Sequence, residues 1–329
     1  MSTTQQLTIT RVGWRAQLTD LGRHDTELRG VPAGGAADRL SATVANTLVG
    51  NTVDQVLIET IGPITVVSRD PWLAAVTGAP AMVTIGGSAA AQWSTLLVPA
   101  GQPLTIGSGT GALRTYLAVG GQIQAPRFLH SAAPDQRMGF DQSLANRTTV
   151  TLAEPHALAR VEWPSPGLFR FDVPRLTSAA DGCWTLRVVP AAEHGLVPAM
   201  HDLLQTHAYR VKPESDHVGV RLSGPVVHPE GPEIVSHGVP VGAVEIPHAD
   251  DELILLGRYR TLTAGYPIIG VVARTDLNLI GQLVPGQTVR FTWIDRAEAV
   301  TLAAAQHAAL ATLARTVQAA FRACLMTAN

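Results

Sequence analysis

Lysine is nearly absent: the sequence has 24 Lys plus Arg residues, and all but Lys212 are arginine. A Schiff-base lysine, a Walker-type phosphate lysine or a biotinylated lysine would have to be Lys212, and Arg210-Val211-Lys212-Pro213 has none of the surrounding sequence those sites need. Any phosphate or carboxylate contact therefore falls to arginine, which suits planar bidentate recognition but, always protonated, is a poor general base. Cysteine is also scarce. Cys183 and Cys324 are too few for a disulfide framework and too far apart for a zinc knuckle, so each reads as a small buried hydrophobe in a reduced compartment. No apolar run approaches the roughly 18 to 20 residues of a membrane span, and the N-terminus, Met1 to Gln6, is polar rather than signal-like. A cytoplasmic, membrane-free protein is expected. Net charge is only -2, with no basic run, so the electrostatic footprint of a nucleic-acid binder is missing.

What remains is a globular composition, 46% hydrophobic over 329 residues, enough for about two domains. Short apolar stretches punctuated by Gly and Pro dominate: Leu57 to Ile61, Trp72 to Val76, Met82 to Ile85, Leu104 to Ile106, Arg114 to Val119, Thr185 to Val189, Leu253 to Leu256 and Thr288 to Thr292. Their length and β-branched content predict strands of a barrel or sandwich, so the fold is expected to be mainly β with a few helices. Three helices are predicted: Ala36 to Val49 with Leu40, Val44 and Leu48 four apart, a short one near Val197 to His207, and a last one from about Arg296 to Leu325. The last opens with Asp295 and Glu298 at capping-box spacing and carries a stripe of Leu310, Leu313, Val317, Ala320 and Cys324, expected to pack on its own barrel.

The two halves echo each other. Gly30-Val31-Pro32-Ala33-Gly34 returns as Gly238-Val239-Pro240-Val241-Gly242, and Val98-Pro99-Ala100-Gly101-Gln102 as Val284-Pro285-Gly286-Gln287. Two related β units joined through Trp163-Pro164-Ser165-Pro166-Gly167 explain this economically.

Three constellations are candidates for chemistry. Asp20-Leu21-Gly22-Arg23 is followed by a glycine-rich loop from Gly30 to Asp38 ahead of a helix, where backbone N–H groups and an arginine fork can meet an anion, or where the glycines merely allow a turn. Glu214 to Leu222 combines Asp216 with a strand showing Val220 and Leu222 to one face and Arg221 to the other. Asp216 and Arg221 are then either a structural ion pair or a pair that orients a substrate carboxylate. Gly257 to Pro267 is a polar loop between strongly apolar strands, the usual setting for binding groups. His194, His201 and His207 do not share one helical face and match no zinc pattern, so no metal site is assigned.

These constellations, with Val44 to Asn51 and Tyr116 to Gly121 between them, closely resemble the family called allophanate hydrolase subunit 2, also known as KipA or the C-subunit of 5-oxoprolinase, homologous to part of the carboxyltransferase region of urea carboxylase. The likeness runs from about Leu7 to Ile294. It implies two tandem cyclophilin-like β-barrel domains, bounded here at 1–160 and 168–295, with a C-terminal helix over 296–329. It also implies a subunit 1 partner, of the type called KipI or the B-subunit of 5-oxoprolinase, and a role in ATP-dependent opening of 5-oxoproline to glutamate. The alternatives it carries are a biotin-dependent carboxyltransferase of the urea carboxylase type and a non-catalytic regulatory or binding subunit. ATP with Mg2+ is the implied cofactor; biotin enters only on another chain.

By the same resemblance Asp216, Arg221, Arg260 and Tyr266 are the expected catalytic residues, while Asp20, Arg23, Gly30, Asp38, Thr263 and Gly265 are the expected cofactor-binding ones. Arg23, Arg221 and Arg260 would clamp anions, and Asp216 or Asp38 would orient a group or handle a proton. The chain departs from the family pattern in its polar loops. His217 and Val218 replace Arg and Met; Tyr259, Thr261, Leu262 and Ile268 replace Asp, Gln, Thr and Lys; Ala132 replaces an arginine. The scaffold is expected to be retained while the chemistry of the site has changed.

Overall fold

The computed structural model describes residues 4–161, 167–176, 182–230, 234–248 and 251–327. The chain divides into two compact units, one of residues 1–23, 39–175 and 307–329, the other of 24–38 and 176–306.

In the first unit a seven-stranded sheet runs in the order Gln122–Ile123, Thr149–Ala153, Thr4–Val12, Ile64–Ser68, Leu104–Ile106, Val83–Ile85, Ser88–Ala90. A six-stranded sheet runs Gly167–Arg170, Ser94–Val98, Trp72–Gly78, Thr115–Val119, Leu57–Ile61, Arg15–Thr19. Both contribute to one core, with Leu7, Ile9, Val66 and Leu152 from the first sheet and Leu18, Ile58, Trp72 and Leu117 from the second. The predicted first helix is Arg39–Leu48; Leu40, Val44 and Leu48 are all buried, and it stops at Gly50 as read. Its buried carbonyls find partners on the six-stranded sheet: Thr77 Oγ1 donates to Ser41 O at 2.7 Å and Thr95 Oγ1 to Leu48 O at 2.6 Å. The last helix, Arg296–Thr327, begins where Asp295 Oδ1 accepts the Glu298 N–H at 2.7 Å. Its stripe packs on the chain itself through Leu313, Val317 and Phe321, with the Phe321 ring against His156 and Phe169. Leu310, Ala320 and Cys324 are half-buried beside that row.

The second unit is built on a closed barrel in the order Cys183–Pro190, Ile268–Val272, Ala243–Glu245, Glu252–Leu256, Gly219–Ser223, Tyr209–Val211, Thr288–Trp293. Alternation decides the faces: Val220, Leu222, Leu253 and Leu255 are buried inward, while Arg221 and Ile254 point outward. A short helix Leu277–Ile280 was not foreseen, and the predicted middle helix is Ala199–Thr206 with Met200 and Leu204 buried. Of the Pro/Ser linker, residues 163–166 lie outside the described residues, and Gly167 begins a strand.

One connection matters for function. The strands Glu252–Leu256 and Ile268–Val272 lie on either side of Ala243–Glu245 and antiparallel to it, so residues 257–267 must cross over that central strand. They cross on its outer face. An apolar cluster of Val239, Ala243, Leu256 and Ile268 lies there, with Ile254 and the crossover's Ala264 packed against it.

Candidate functional site

The second unit gathers most of the residues singled out in the sequence, because residues 24–38 fold with it. Arg260 is 4% exposed; its Nε donates to Val239 O at 2.6 Å and its Nη2 to Glu27 Oε1 at 2.9 Å. Its Nη1 is buried without a hydrogen-bond partner among the described residues. Tyr259, the neighbour of Arg260, accepts the Gly35 N–H at 3.1 Å through its hydroxyl, and Gly34 N–H donates to Arg258 O at 3.2 Å. The glycine-rich loop therefore spends these two donors on the crossover and offers neither to a phosphate. Gly30 takes φ +79 to close the turn Glu27–Arg29, a conformation that favours glycine, and it is exposed. Asp38 is fully buried and accepts from Gln282 Nε2 at 2.8 Å.

Asp216 and Arg221 do not pair with each other. The exposed Asp216 carboxylate caps its own turn, accepting the N–H groups of Val218 and Gly219 at 2.8 and 3.0 Å. Arg221 pairs with Glu252, and Lys212 Nζ holds the other oxygen of that buried carboxylate at 2.6 Å. Glu252 holds the Lys212 ammonium above the ordinary lysine range. Thr263 belongs to the two-residue strand Thr263–Ala264, which pairs with His237–Gly238. Gly265 has no room for a Cβ, which would lie 2.8 Å from Ile234 O. Tyr266 is half-exposed and meets His248 edge to face, with ring centroids 5.5 Å apart. Ile268, standing where the family pattern has lysine, is buried in the apolar cluster.

One residue of this region escaped sequence reasoning. Glu245 is 3% exposed, its Oε1 is buried without a hydrogen-bond partner among the described residues, and burial raises its carboxyl to about 7. It stands opposite Ile254 on one neighbouring strand and Ile268 on the other. Arg221 stands opposite Ile254 in turn. Directly paired residues of antiparallel strands share a face, so Arg221, Ile254, Glu245 and Ile268 form one row on the outer face, at and beside the crossover. The available signal was an acid in the otherwise apolar run Ala243-Val244-Glu245-Ile246.

Asp20 and Arg23 belong to the first unit; Asp20 is occupied locally, whereas Arg23 keeps Nε and Nη1 buried without a hydrogen-bond partner among the described residues, with Asp135 Oδ2 3.9 Å from Nη1. Asp20 accepts from Gly22 N at 2.8 Å, Ser131 Oγ at 2.6 Å and Ala132 N at 2.7 Å. Arg23 donates from Nη2 to Ala133 O at 2.5 Å, and its guanidinium lies over the Phe128 ring. Both fasten the loop in which Ala132 replaces an arginine. Among the described residues no group of three or more His, Cys, Asp or Glu is placed to hold a metal ion. His194 Nε2 and His201 Nδ1 do meet, at 3.1 Å, beside Trp293, on which the His201 ring stacks. No helix is long and apolar enough to cross a membrane, again among the described residues.

A mainly β chain whose polar crossover and arginine-bearing strand lie on one outer barrel face is a member of a known class: it belongs to the carboxyltransferase domain family, subdomain A and B, which matches residues 29–293. Among its relatives is the C-subunit of 5-oxoprolinase from Escherichia coli, 28% identical over 300 residues, covering 89% of this chain and 93% of that protein. Urea amidolyase of Saccharomyces cerevisiae is 24% identical over 306 residues, covering 86% of this chain and 16% of the enzyme. The crystal structure of TTHA0988 superposes with a TM-score of 0.76 at 28% identity, covering 89% of this chain and 56% of that one; the present chain thus spans little more than half of it. The Kluyveromyces lactis urea carboxylase shares the fold, with a TM-score of 0.80 at 22% identity over 94% of this chain and 29% of that one.

Proposed function

We propose that this chain is the component corresponding to the C-subunit of 5-oxoprolinase in a heteromeric, ATP-dependent amide hydrolase that opens 5-oxoproline to glutamate, and that it works with a subunit 1 (KipI-like) partner. The observation that carries this reading is the near end-to-end correspondence with the C-subunit of 5-oxoprolinase, in contrast to the small share of urea amidolyase that the chain matches. The chain contributes an outer barrel face with an apolar floor beneath a polar crossover, with the Arg221–Glu252 pair on the arginine-bearing strand and Arg260, whose Nη1 is buried without a hydrogen-bond partner among the described residues, on the crossover. A 5-oxoproline molecule has the matching groups, a carboxylate for a guanidinium and a ring amide for a hydrogen-bonding carboxyl. No step through ATP is assigned to this chain, since the Gly30–Asp38 loop spends its Gly34 and Gly35 donors within the protein.

The urea carboxylase alternative keeps one specific support, the match to urea amidolyase over 86% of this chain. It requires carboxybiotin on another chain, because Lys212, the one lysine of the sequence, lacks a biotinylation context. The deciding experiment is phosphate release by this chain purified with its subunit 1 partner and the remaining 5-oxoprolinase component. Release that depends on 5-oxoproline is the expected result. A stable, folded complex without it overturns the reading and turns attention to avidin-sensitive carboxyl transfer or a regulatory role.

A further inference from the structure

Among the described residues, Glu245 is the buried acid of the outer barrel face that no base or hydrogen-bond donor meets. Glu252 nearby has Arg221 and Lys212, whereas Glu245 makes no hydrogen bond or ion pair there. Leaving a carboxyl oxygen buried and unbonded is unfavourable by the cost of its lost hydration. Such groups persist where a ligand or a proton completes them. Arg260 bonds through Nε to the carbonyl of Val239, a member of the same apolar cluster, and keeps its Nη1 buried without a partner among the described residues. Glu245, opposite Ile268, and Arg260, bonded to Val239, thus each adjoin a member of one apolar cluster, and each keeps one buried polar atom unpaired among the described residues.

We propose that Glu245 is the group that hydrogen-bonds and exchanges a proton with the amide of the ligand, and that Arg260 Nη1–H receives the ligand's carboxylate. The inference rests on the function proposed above and names the residue that reads the amide. In hydrolysis a water molecule adds through oxygen to the ring carbonyl carbon and gives up one proton to solvent; as the C–N bond of that adduct breaks, with its electron pair remaining on nitrogen, protonated Glu245 gives its proton to the nitrogen and is left as carboxylate, to be reprotonated from solvent. Burial places its titration near neutrality, where one group serves as donor and acceptor. The charged and titratable groups around it are Glu252 on a flanking strand, Arg221 on the strand beyond it, Arg260 on the crossover, His237 on the short sheet, and Glu193, whose Oε2 accepts the Ile268 N–H at 3.2 Å. In the present conformation the carboxyl is covered, so binding lifts part of residues 257–267, which the short pair His237–Gly238 with Thr263–Ala264 holds down.

The test is a carboxyl-carbon NMR titration of the full chain labelled in glutamate, with the Glu245 signal assigned from Glu245→Gln, repeated with 5-oxoproline and with urea. The expected result is one signal titrating between about pH 6 and 8 whose midpoint moves by about one unit, a tenfold change in proton affinity, with at least one of the two amides. A midpoint below about pH 6, or one indifferent to both amides, overturns the proposal. Phosphate release by the assembled complex separates this from the proposed function. If Glu245→Gln keeps 5-oxoproline-dependent release with the parent pH profile, the role of Glu245 falls and the hydrolase stands. If the parent complex shows no such release while urea moves the Glu245 midpoint, the hydrolase falls and Glu245 stands. Glu245→Asp, which keeps the acid on a shorter arm, is expected to retain a titrating signal and to lose ligand sensitivity.

Discussion

His217 meets Tyr259 edge to face, with ring centroids 5.4 Å apart. These two residues stand where the family pattern has Arg and Asp, so departures far apart in the sequence lie at one contact. Restoring one member alone, His217→Arg or Tyr259→Asp, is expected to destabilise the chain more than restoring both. The coupling energy in a double-mutant cycle of urea denaturation is expected to be about 0.5–2 kcal/mol. Simple additivity would show that the contact has no energetic content.

Arg260 supports its surroundings through two bonds, one to a backbone carbonyl and one to Glu27. Arg260→Ala strands the Val239 carbonyl and opens a cavity in a buried site, at an expected cost of about 2–4 kcal/mol. Glu27→Ala is expected to cost under about 1 kcal/mol, since that side chain is half-exposed. Arg260→Lys, with no planar fork, rescues little of the loss. Thermal denaturation of the three variants checks the order.

Glu252 carries two cations on one buried carboxylate. Glu252→Ala is expected to lower stability by about 2–4 kcal/mol, reduced from the fully buried case because both cations reach water. Lys212 keeps its charge throughout the neutral range, because its folded-state value is raised above 10.5. Its contribution is therefore fully present below pH 10.5 and is lost only as the pH rises through that higher folded value. Urea midpoints flat from pH 6 to about 9.5 in Glu252→Ala relative to the parent would agree.

Glu245 imposes the opposite pH dependence from an ordinary paired acid. Its folded carboxyl, at about 7, lies above the unfolded value of 4.5, so the folded state binds the extra proton between them. Stability tied to this group is complete below 4.5, falls as the pH rises through 7, and is gone above it. The total is on the order of 3 kcal/mol. Glu245→Gln removes the slope, and is expected to equal or exceed the parent in urea midpoint at pH 8 while gaining nothing at pH 5. A parent and variant with parallel pH profiles would contradict this.

Asp20 is expected to be structural in the first unit. Asp20→Ala removes the acceptor shared by Gly22, Ser131 and Ala132, at about 2–4 kcal/mol. Loosening of that loop is read by faster trypsin cleavage after the half-exposed Arg127. Unchanged cleavage would show that Asp20 does not hold it.

Strand positions were legible because their apolar runs are bounded by glycine and proline. Leu57–Ile61 and Leu104–Ile106 end where their sequences stop being apolar. The terminal helix was legible from Asp295 and its stripe, although Phe321, its largest buried side chain, was not singled out. Partners of the polar residues were not legible. Nothing local says that Arg221 turns to Glu252 rather than Asp216, since that choice follows from strand register. Glu245 was missed for the same reason: an acid in a buried strand signals chemistry only once the crossover above it is known.

Residues 24–38 precede the helix and most of the sheet strands of the first unit, yet they are grouped with the second. A ribosome releases them, then the whole of 39–175, before any of 176–306 exists to receive them. The loop whose Gly34 and Gly35 later bond to Arg258 and Tyr259 must therefore wait, exposed, through the synthesis of another unit. Cutting the gene between the sheets and the barrel would leave each fragment with chain it cannot use or without chain it needs, so the candidate site is a property of the undivided polypeptide.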